Sequence, residues 1–141
     1  MTANPTSLVS PYIKPDIKVL VVDDMTLMRK AMTNALNAMG IKDIVTAENG
    51  ADALALLEKE NSGFGLVVSD WNMPVLNGLE FLKKVRSQEK FKTLPFVMCT
   101  LESERGHVIH AVKEGVSQYI IKPFTNETFK EKIESVFAAK K

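Results

Sequence analysis

Acidic, hydroxyl and ammonium side chains stand at the ends of short apolar runs in this chain. Asp23 and Asp24 end Val19-Leu20-Val21-Val22, and Asp70 follows Leu66-Val67-Val68-Ser69. Thr100 follows Phe96-Val97-Met98-Cys99, and Lys122 follows Tyr119-Ile120-Ile121. Each has an ordinary alternative when taken alone. An Asp after a strand caps a helix or turn, a Thr satisfies a local backbone group, and a lysine before a turn proline is solvated. Taken together they point to chemistry. Three carboxylates within several ångströms repel one another by several kcal/mol at an intermediate effective dielectric, so their meeting calls for a cation. Carboxylate oxygens without His or Cys suit a hard ion, and a loop site with few protein ligands suits Mg²⁺ better than Ca²⁺. A hydroxyl and an ammonium are the donors that a phosphoryl group needs on its equatorial oxygens. The predicted chemistry is phosphoryl transfer, with Asp70 at its centre.

Such a meeting requires a particular scaffold. Uniformly apolar runs ending abruptly in polar residues predict strands buried on both faces. Amphipathic stretches separate them. Met28, Met32, Ala35, Leu36 and Met39 share one helical face before Gly40, and Asn49-Gly50 opens a helix carrying Leu54 and Leu57. Ile44-Val45 is a weaker strand towards an edge. Leu79, Leu82 and Val85 define a third helix, and Val108, Ile109 and Val112 are expected to face inward on a fourth that Gly115 closes. Thr125 is placed to cap a last helix carrying Phe129, Ile133, Val136 and Phe137, with terminal lysines that suit its dipole. Five strands alternating with five helices predict an α/β, doubly wound parallel sheet with helices on both faces. All strand C-termini then lie along one edge, where open α/β sheets hold their ligands.

Composition narrows the function classes. The 141 residues, 45% hydrophobic and 25% charged, make one ordinary globular domain. Residues 1–16, with Pro5, Pro11 and Pro15 among Ser, Thr and Asn, are expected as a flexible or loosely docked N-terminal arm, and residues 17–141 as the domain. With 18 Lys+Arg against 17 Asp+Glu the net charge is +1, and no dense basic run suggests nucleic acid or a membrane surface as partner. Partners are expected to be proteins or small ions. The lone Cys99 makes no internal disulfide, and no apolar run is long enough for a bilayer span or a secretory signal, so a cytoplasmic location is expected. Cys99 and the seven methionines are expected mainly as packing residues, and His107 and His110 as surface histidines.

The residues also carry a resemblance. Val21-Val22-Asp23-Asp24, Ser69-Asp70-Trp71-Asn72-Met73-Pro74 with Asn77-Gly78, Cys99-Thr100, and Tyr119 with Lys122-Pro123-Phe124 resemble the signature of response-regulator receiver domains, in particular the single-domain chemotaxis group. The likeness spans about Ile17 to Ala138. It implies a flavodoxin-like fold with strand order 2-1-3-4-5, an order that the strands here do not by themselves dictate. It implies a two-component signalling switch and not an enzyme in the ordinary sense: Asp70 takes phosphate from a sensor histidine autokinase. Asp24 and Asp70 would bind Mg²⁺ directly, Asp23 through water, and Asn72 through its backbone carbonyl. Lys122, joined to Pro123 by a cis peptide bond, would pair with the phosphoryl oxygens, while Thr100 swings towards them and Tyr119 follows it inward. Output would leave by the fourth helix, fifth strand and fifth helix to a protein target such as the flagellar motor switch, controlling flagellar rotation. A phosphatase is a further possible partner.

Two other functions fit parts of the pattern. One is a stand-alone phosphorelay intermediate or a receiver for a non-motility target. The other is an Asp-nucleophile, Mg-dependent phosphohydrolase, but such enzymes put the nucleophile after the first strand in an Asp-x-Asp arrangement and add a cap. Departures from the resembled group are Leu101, where a small residue is usual, and Gly106 near the start of the fourth helix, expected to let that helix fray. By resemblance, Asn72 and Glu102 tune how water reaches the acyl phosphate and imply fairly quick self-dephosphorylation, which Leu101 would oppose. A comparison of phosphate lifetimes tests the assignment of Glu102: the lifetime should change in Glu102→Ala, and an unchanged value would remove Glu102 from that role.

Overall fold

The computed structural model describes residues 10–60, 62–101 and 106–138. The strands are β1 (Lys18–Val22), β2 (Asp43–Ala47), β3 (Leu66–Asp70), β4 (Phe96–Leu101) and β5 (Gln118–Lys122). They alternate with helices α1 (Thr26–Ala38), α2 (Gly50–Glu58), α3 (Gly78–Arg86), α4 (His107–Lys113) and α5 (Asn126–Ala138). Every strand pair is parallel and the order is β2-β1-β3-β4-β5, as the resemblance implied. A short 3₁₀ turn, Glu89–Phe91, between α3 and β4 was not expected from the sequence.

The period-two alternation of strand side chains divides the core in two. Val19 and Val21 of β1, with Val68 and Ile120, pack against Met32 and Leu36 of α1 and Phe129 and Ile133 of α5. Leu20 and Val22, with Val67 and Met98, face Leu57 of α2 and Phe81, Leu82 and Val85 of α3. Full burial of such side chains is worth about 1.5–3 kcal/mol each, so both faces of β1 and β3 are strongly fixed in register.

Local signals set the helix ends. Asn49 and Asn77 cap α2 and α3 by accepting from the backbone N–H groups of Asp52 at 2.8 Å and Glu80 at 2.9 Å. Thr125 does the same for α5, accepting from Thr128 N–H at 3.0 Å. Gly40 and Gly115, at φ +89° and +92°, supply the left-handed turns after α1 and α4.

Three expectations change. Ile109 and Val112 are not inward: they are 64% and 60% exposed, whereas Ala111 is buried. A seven-residue helix spans barely two turns, and the sheet meets only a narrow stripe of it. Gly106 precedes α4 as its N-cap, where glycine is accepted, and does not sit in the helix interior. Within the segment expected as an arm, Ser10 and Ile13 are buried, and Ile13 packs into the α1–α5 side of the core. Residues 1–9 and the terminal lysines Lys140 and Lys141 lie outside the described residues.

The β3–α3 loop holds one strained position. Val75 has φ +71° and is 81% exposed, and Leu76 N–H donates to the Pro74 carbonyl at 2.7 Å around it. A β-branched residue in the left-handed region costs of order 1–3 kcal/mol, and here burial returns little of it. Val75→Asn should therefore raise stability by about 1 kcal/mol, read as a higher urea midpoint at unchanged slope; a lower midpoint would show that Val75 packs usefully.

Candidate functional site

Three strand ends and one loop build the site. β1 and β3 are hydrogen-bonded neighbours, with Val22 opposite Ser69, so the residues that follow each, Asp23 and Asp70, emerge side by side. One carboxylate oxygen from each of Asp23, Asp24 and Asp70 lies within 4.8 Å of the others. β5 lies two strands from β3, and the long Lys122 side chain spans the gap: its Nζ stands 2.5 Å from Asp70 Oδ1 and 3.4 Å from Asp23 Oδ2. The Lys122-Pro123 bond is cis. Asp23 is held by its own loop and by α1: Met25 N–H donates to Asp23 Oδ1 at 2.9 Å and the Arg29 guanidinium donates to the Asp23 carbonyl at 2.7 Å.

The floor of the site is buried and its mouth is not. Asp23 is fully buried, Asp70 is 5% and Lys122 7% exposed, whereas Asp24 and Asn72 are exposed. A cleft of about 510 Å³ opens above the floor, lined by Asp24, Met25, Met28, Asp70, Asn72, Leu101, Lys122 and Pro123. Thr100 is buried at the end of β4, with its hydroxyl donating to the Leu101 carbonyl at 3.5 Å. Tyr119 is half-buried one strand further on, with Lys132 Nζ 4.8 Å above its ring. Glu102 lies outside the described residues. Sequence reasoning missed the methionines of the cleft, Met25 and Met28. Their place just after Asp23-Asp24 was the available signal, obscured because Met28 also fits the core face of α1.

The electrostatics are those of a cluster short of positive charge. Burial pushes the Asp23 and Asp70 carboxyls above the ordinary range, outweighing the opposing pull of Lys122. Burial draws Lys122 down, but its hydrogen bond to Asp70 and the charges of Asp70 and Asp23 more than reverse this and hold it above the usual lysine range. Among the described residues Lys122 pairs with two of the three carboxylates, Asp23 and Asp70; the carboxylate donors are oxygen, and a hard divalent cation fits the set. Cys99, opposite Asp70 on β4, is buried with its thiol pushed far up, so it takes no part as a thiolate.

A parallel sheet with an acidic triad and a lysine at one edge is the arrangement that the sequence resemblance implied. Residues 19–134 match the family described as Response regulator receiver domain, and the chain belongs to that family. It is 46% identical over 120 residues, 85% of this chain and 92% of the other, to a chemotaxis protein CheY homolog of Campylobacter jejuni. The solved structure of chemotaxis response regulator CheY4 of Vibrio cholerae has a TM-score of 0.77 and 35% identity, over 86% of this chain and 98% of that one. The same fold, at TM-score 0.75 and 20% identity over 86% and 97% of the two chains, occurs in the receiver domain of a sensor histidine kinase from Pseudomonas aeruginosa PAO1, described with a magnesium ion coordinated in its active-site cleft. The chain is thus a chemotaxis-type response regulator, in a family of signalling switches. Among the described residues no helix is long and apolar enough to cross a membrane.

The charge imbalance is testable. Because Asp23 and Asp70 are held above their ordinary value of 3.8, the native state binds their protons more tightly than the unfolded chain does. Their contribution to stability without metal therefore falls as pH rises from about 3.8 through the raised values. A divalent cation reverses that trend. Mg²⁺ at tenfold its dissociation constant should stabilise the protein by about 1.4 kcal/mol at neutral pH, and by less on acidification. Asp23→Asn keeps an acceptor for Met25 N–H, so it should match or exceed the parent's melting temperature in chelator and lose the Mg²⁺ response. A full response in this variant would remove Asp23 from the site.

Proposed function

We propose that Asp70 is the phosphoryl acceptor of a chemotaxis switch, phosphorylated by a sensor histidine autokinase and read out by a protein target such as the flagellar motor switch. The observation that carries this reading is the position of Asp70: it is nearly buried at the end of the central strand, ion-paired to Lys122, and it lines the cleft. An Asp70 oxygen attacks phosphorus, the bond from phosphorus to the donor breaks, and the electron pair leaves with the donor. Lys122 then exchanges a carboxylate partner for phosphoryl oxygens at nearly the same place, and Thr100 supplies a hydroxyl to the same group. Bound Mg²⁺, held by Asp23, Asp24, Asp70 and the Asn72 carbonyl, would offset the charge of carboxylates and phosphoryl group together. The magnesium of the Pseudomonas receiver domain supports that choice of ion.

Phosphate at Asp70 acts as a differential ligand, biasing a two-state element through Thr100 and Tyr119. The face formed by α4, β5 and α5 suits the role of output surface, because Ile109 and Val112 stand exposed on it. The chemotaxis names of the curated relatives support a motility target. Asn72 and Glu102 would tune hydrolysis, with a phosphatase as an additional partner.

Asp70→Asn should fold with little loss of stability and abolish phosphate incorporation from both kinase and small donors. Lys122→Ala should leave phosphorylation detectable but separate it from target binding. Trp71, 7% exposed beside Asp70, reports both steps: its fluorescence should respond to Mg²⁺, then to beryllofluoride only while Asp70 is present. Incorporation in Asp70→Asn, or sustained turnover of phosphomonoesters by the parent, would sink this reading.

A further inference from the structure

Tyr119 and Lys132 come to one contact from opposite sides of the sheet. β5 is the outermost strand, and its alternation puts Ile120 into the core shared with α1 and α5. Tyr119, one residue earlier and in register with Met98, therefore faces the other layer, which Met98 shares with Phe81 and Leu82 of α3. Lys132 belongs to α5, whose Phe129, Ile133 and Val136 fill the first core. Its Nζ nevertheless stands 4.8 Å from the centre of the Tyr119 ring, over the ring face. The two side chains meet round the outer edge of β5. A second tie lies beside the first: Gln118 Nε2 donates to Ser135 Oγ at 3.0 Å, one residue back on the strand and one turn on along the helix.

Thr100 shares the face of Tyr119. It lies two residues beyond Met98 on β4, and its partner in register is Ile121, two beyond Tyr119. Thr100 and Tyr119 are thus diagonal neighbours on one face of adjacent strands. A ring that follows Thr100 moves across the sheet, away from the edge where Lys132 covers it, and gives up the cation. Both side chains are half-buried. An ammonium over a ring at such a site is held by the ring quadrupole, and its loss shifts an equilibrium by roughly two- to fivefold.

We propose that Lys132 is a positioning residue for the switch: it latches the Tyr119 ring at the outer edge of β5 in the unphosphorylated protein and so keeps the inward state scarce. Phosphorylation must break this contact. A ligand that favours the inward state binds more weakly by the fraction the latch withholds. Inward movement also uncovers the ammonium, so one event alters both β5 and α5. The inference rests on phosphate at Asp70 drawing Tyr119 inward.

The test follows 3-fluorotyrosine by ¹⁹F NMR, with beryllofluoride in Mg²⁺ as the phosphoryl mimic, in the parent, Lys132→Met and Lys132→Arg. The chain has two tyrosines, Tyr12 and Tyr119, and Tyr12→Phe assigns their signals. Lys132→Met keeps the apolar stem and loses the charge. Without the mimic, its Tyr119 signal should move part of the way to the position seen in the saturated parent. Half-saturation should then need about two- to fivefold less beryllofluoride. A cation acting only at long range predicts the opposite sign, because its loss would weaken binding of an anion. Lys132→Arg keeps a cation that stacks on rings and should need at least as much mimic as the parent. In a Tyr119→Ala background, Lys132→Met should make no further difference. A parental signal or parental half-saturation in Lys132→Met, or an equal gain with Tyr119→Ala, overturns the latch. An Asp70-dependent Trp71 response to the mimic, with a Tyr119 signal that never moves, leaves the acceptor standing and removes the latch. Silence of both Trp71 and Tyr119 in every variant removes the acceptor assignment and the latch together.

Discussion

A shortage of positive charge at one edge of an apolar sheet is the constraint on which the rest of this structure depends. Asp23, Asp24 and Asp70 crowd their oxygens within 4.8 Å, and among the described residues Lys122 is the cation ion-paired with them. Left in water, these groups would drift apart. Here they are fixed, because each leaves the end of a strand that cannot shift without uncovering core side chains on both faces. Tight packing thus imposes an unfavourable electrostatic arrangement, which makes the site responsive: a cation or a phosphoryl group that redistributes charge meets a pre-formed cluster.

Several local features serve that fixation. The carbonyl of Trp71 accepts from Gly78 N–H at 2.7 Å, tying the start of α3 to the loop that follows Asp70. A side chain at Gly78 would overlap the Asp70 carbonyl oxygen and stand 2.9 Å from Met98 Sδ and Trp71 Cα, so close approach demands glycine there. On the other side, Asp23 is locked by Met25 N–H and Arg29. Asp24, next in sequence, carries no such restraint among the described residues and is exposed. The site therefore combines a rigid inner pair with an outer carboxylate open to ions.

Much of this was legible in the sequence because polar residues ended uniformly apolar runs. Val19–Val22 and Leu66–Val68 could hardly be anything but strands buried on two faces, and parallel connectivity brought Asp23 and Asp70 to one edge. Asn49, Asn77 and Thr125 announced helix starts by the side-chain chemistry that the structure uses. Strand order was not legible from these local signals and came from resemblance. Local pattern also failed at α4, where Ile109 and Val112 look like core residues yet face outward; periodicity identifies an apolar stripe without saying what covers it. Ile13 failed in the opposite sense, since a lone apolar residue among prolines gives no periodic signal, although tertiary contact buries it.

The exposed stripe on α4 gains meaning from how that helix is held. At its C-terminal end, Arg86 Nε donates to the Gly115 carbonyl at 2.9 Å and Nη1 to the Phe91 carbonyl at 2.8 Å, joining the end of α3 and the 3₁₀ turn to the residue that closes α4. Ala111, with half-buried Val116, seats the same end on the α2–α3 side of the core. The other end follows β4, whose last two residues are the buried Thr100 and Leu101, which lines the cleft. A helix pinned at its far end and led at its near end by the strand of the site is best placed to respond where chemistry occurs. In so short a helix, a shift at the near end also moves Ile109 and Val112, which under the proposed function would connect the charge balance around Asp70 to the exposed apolar residues of α4.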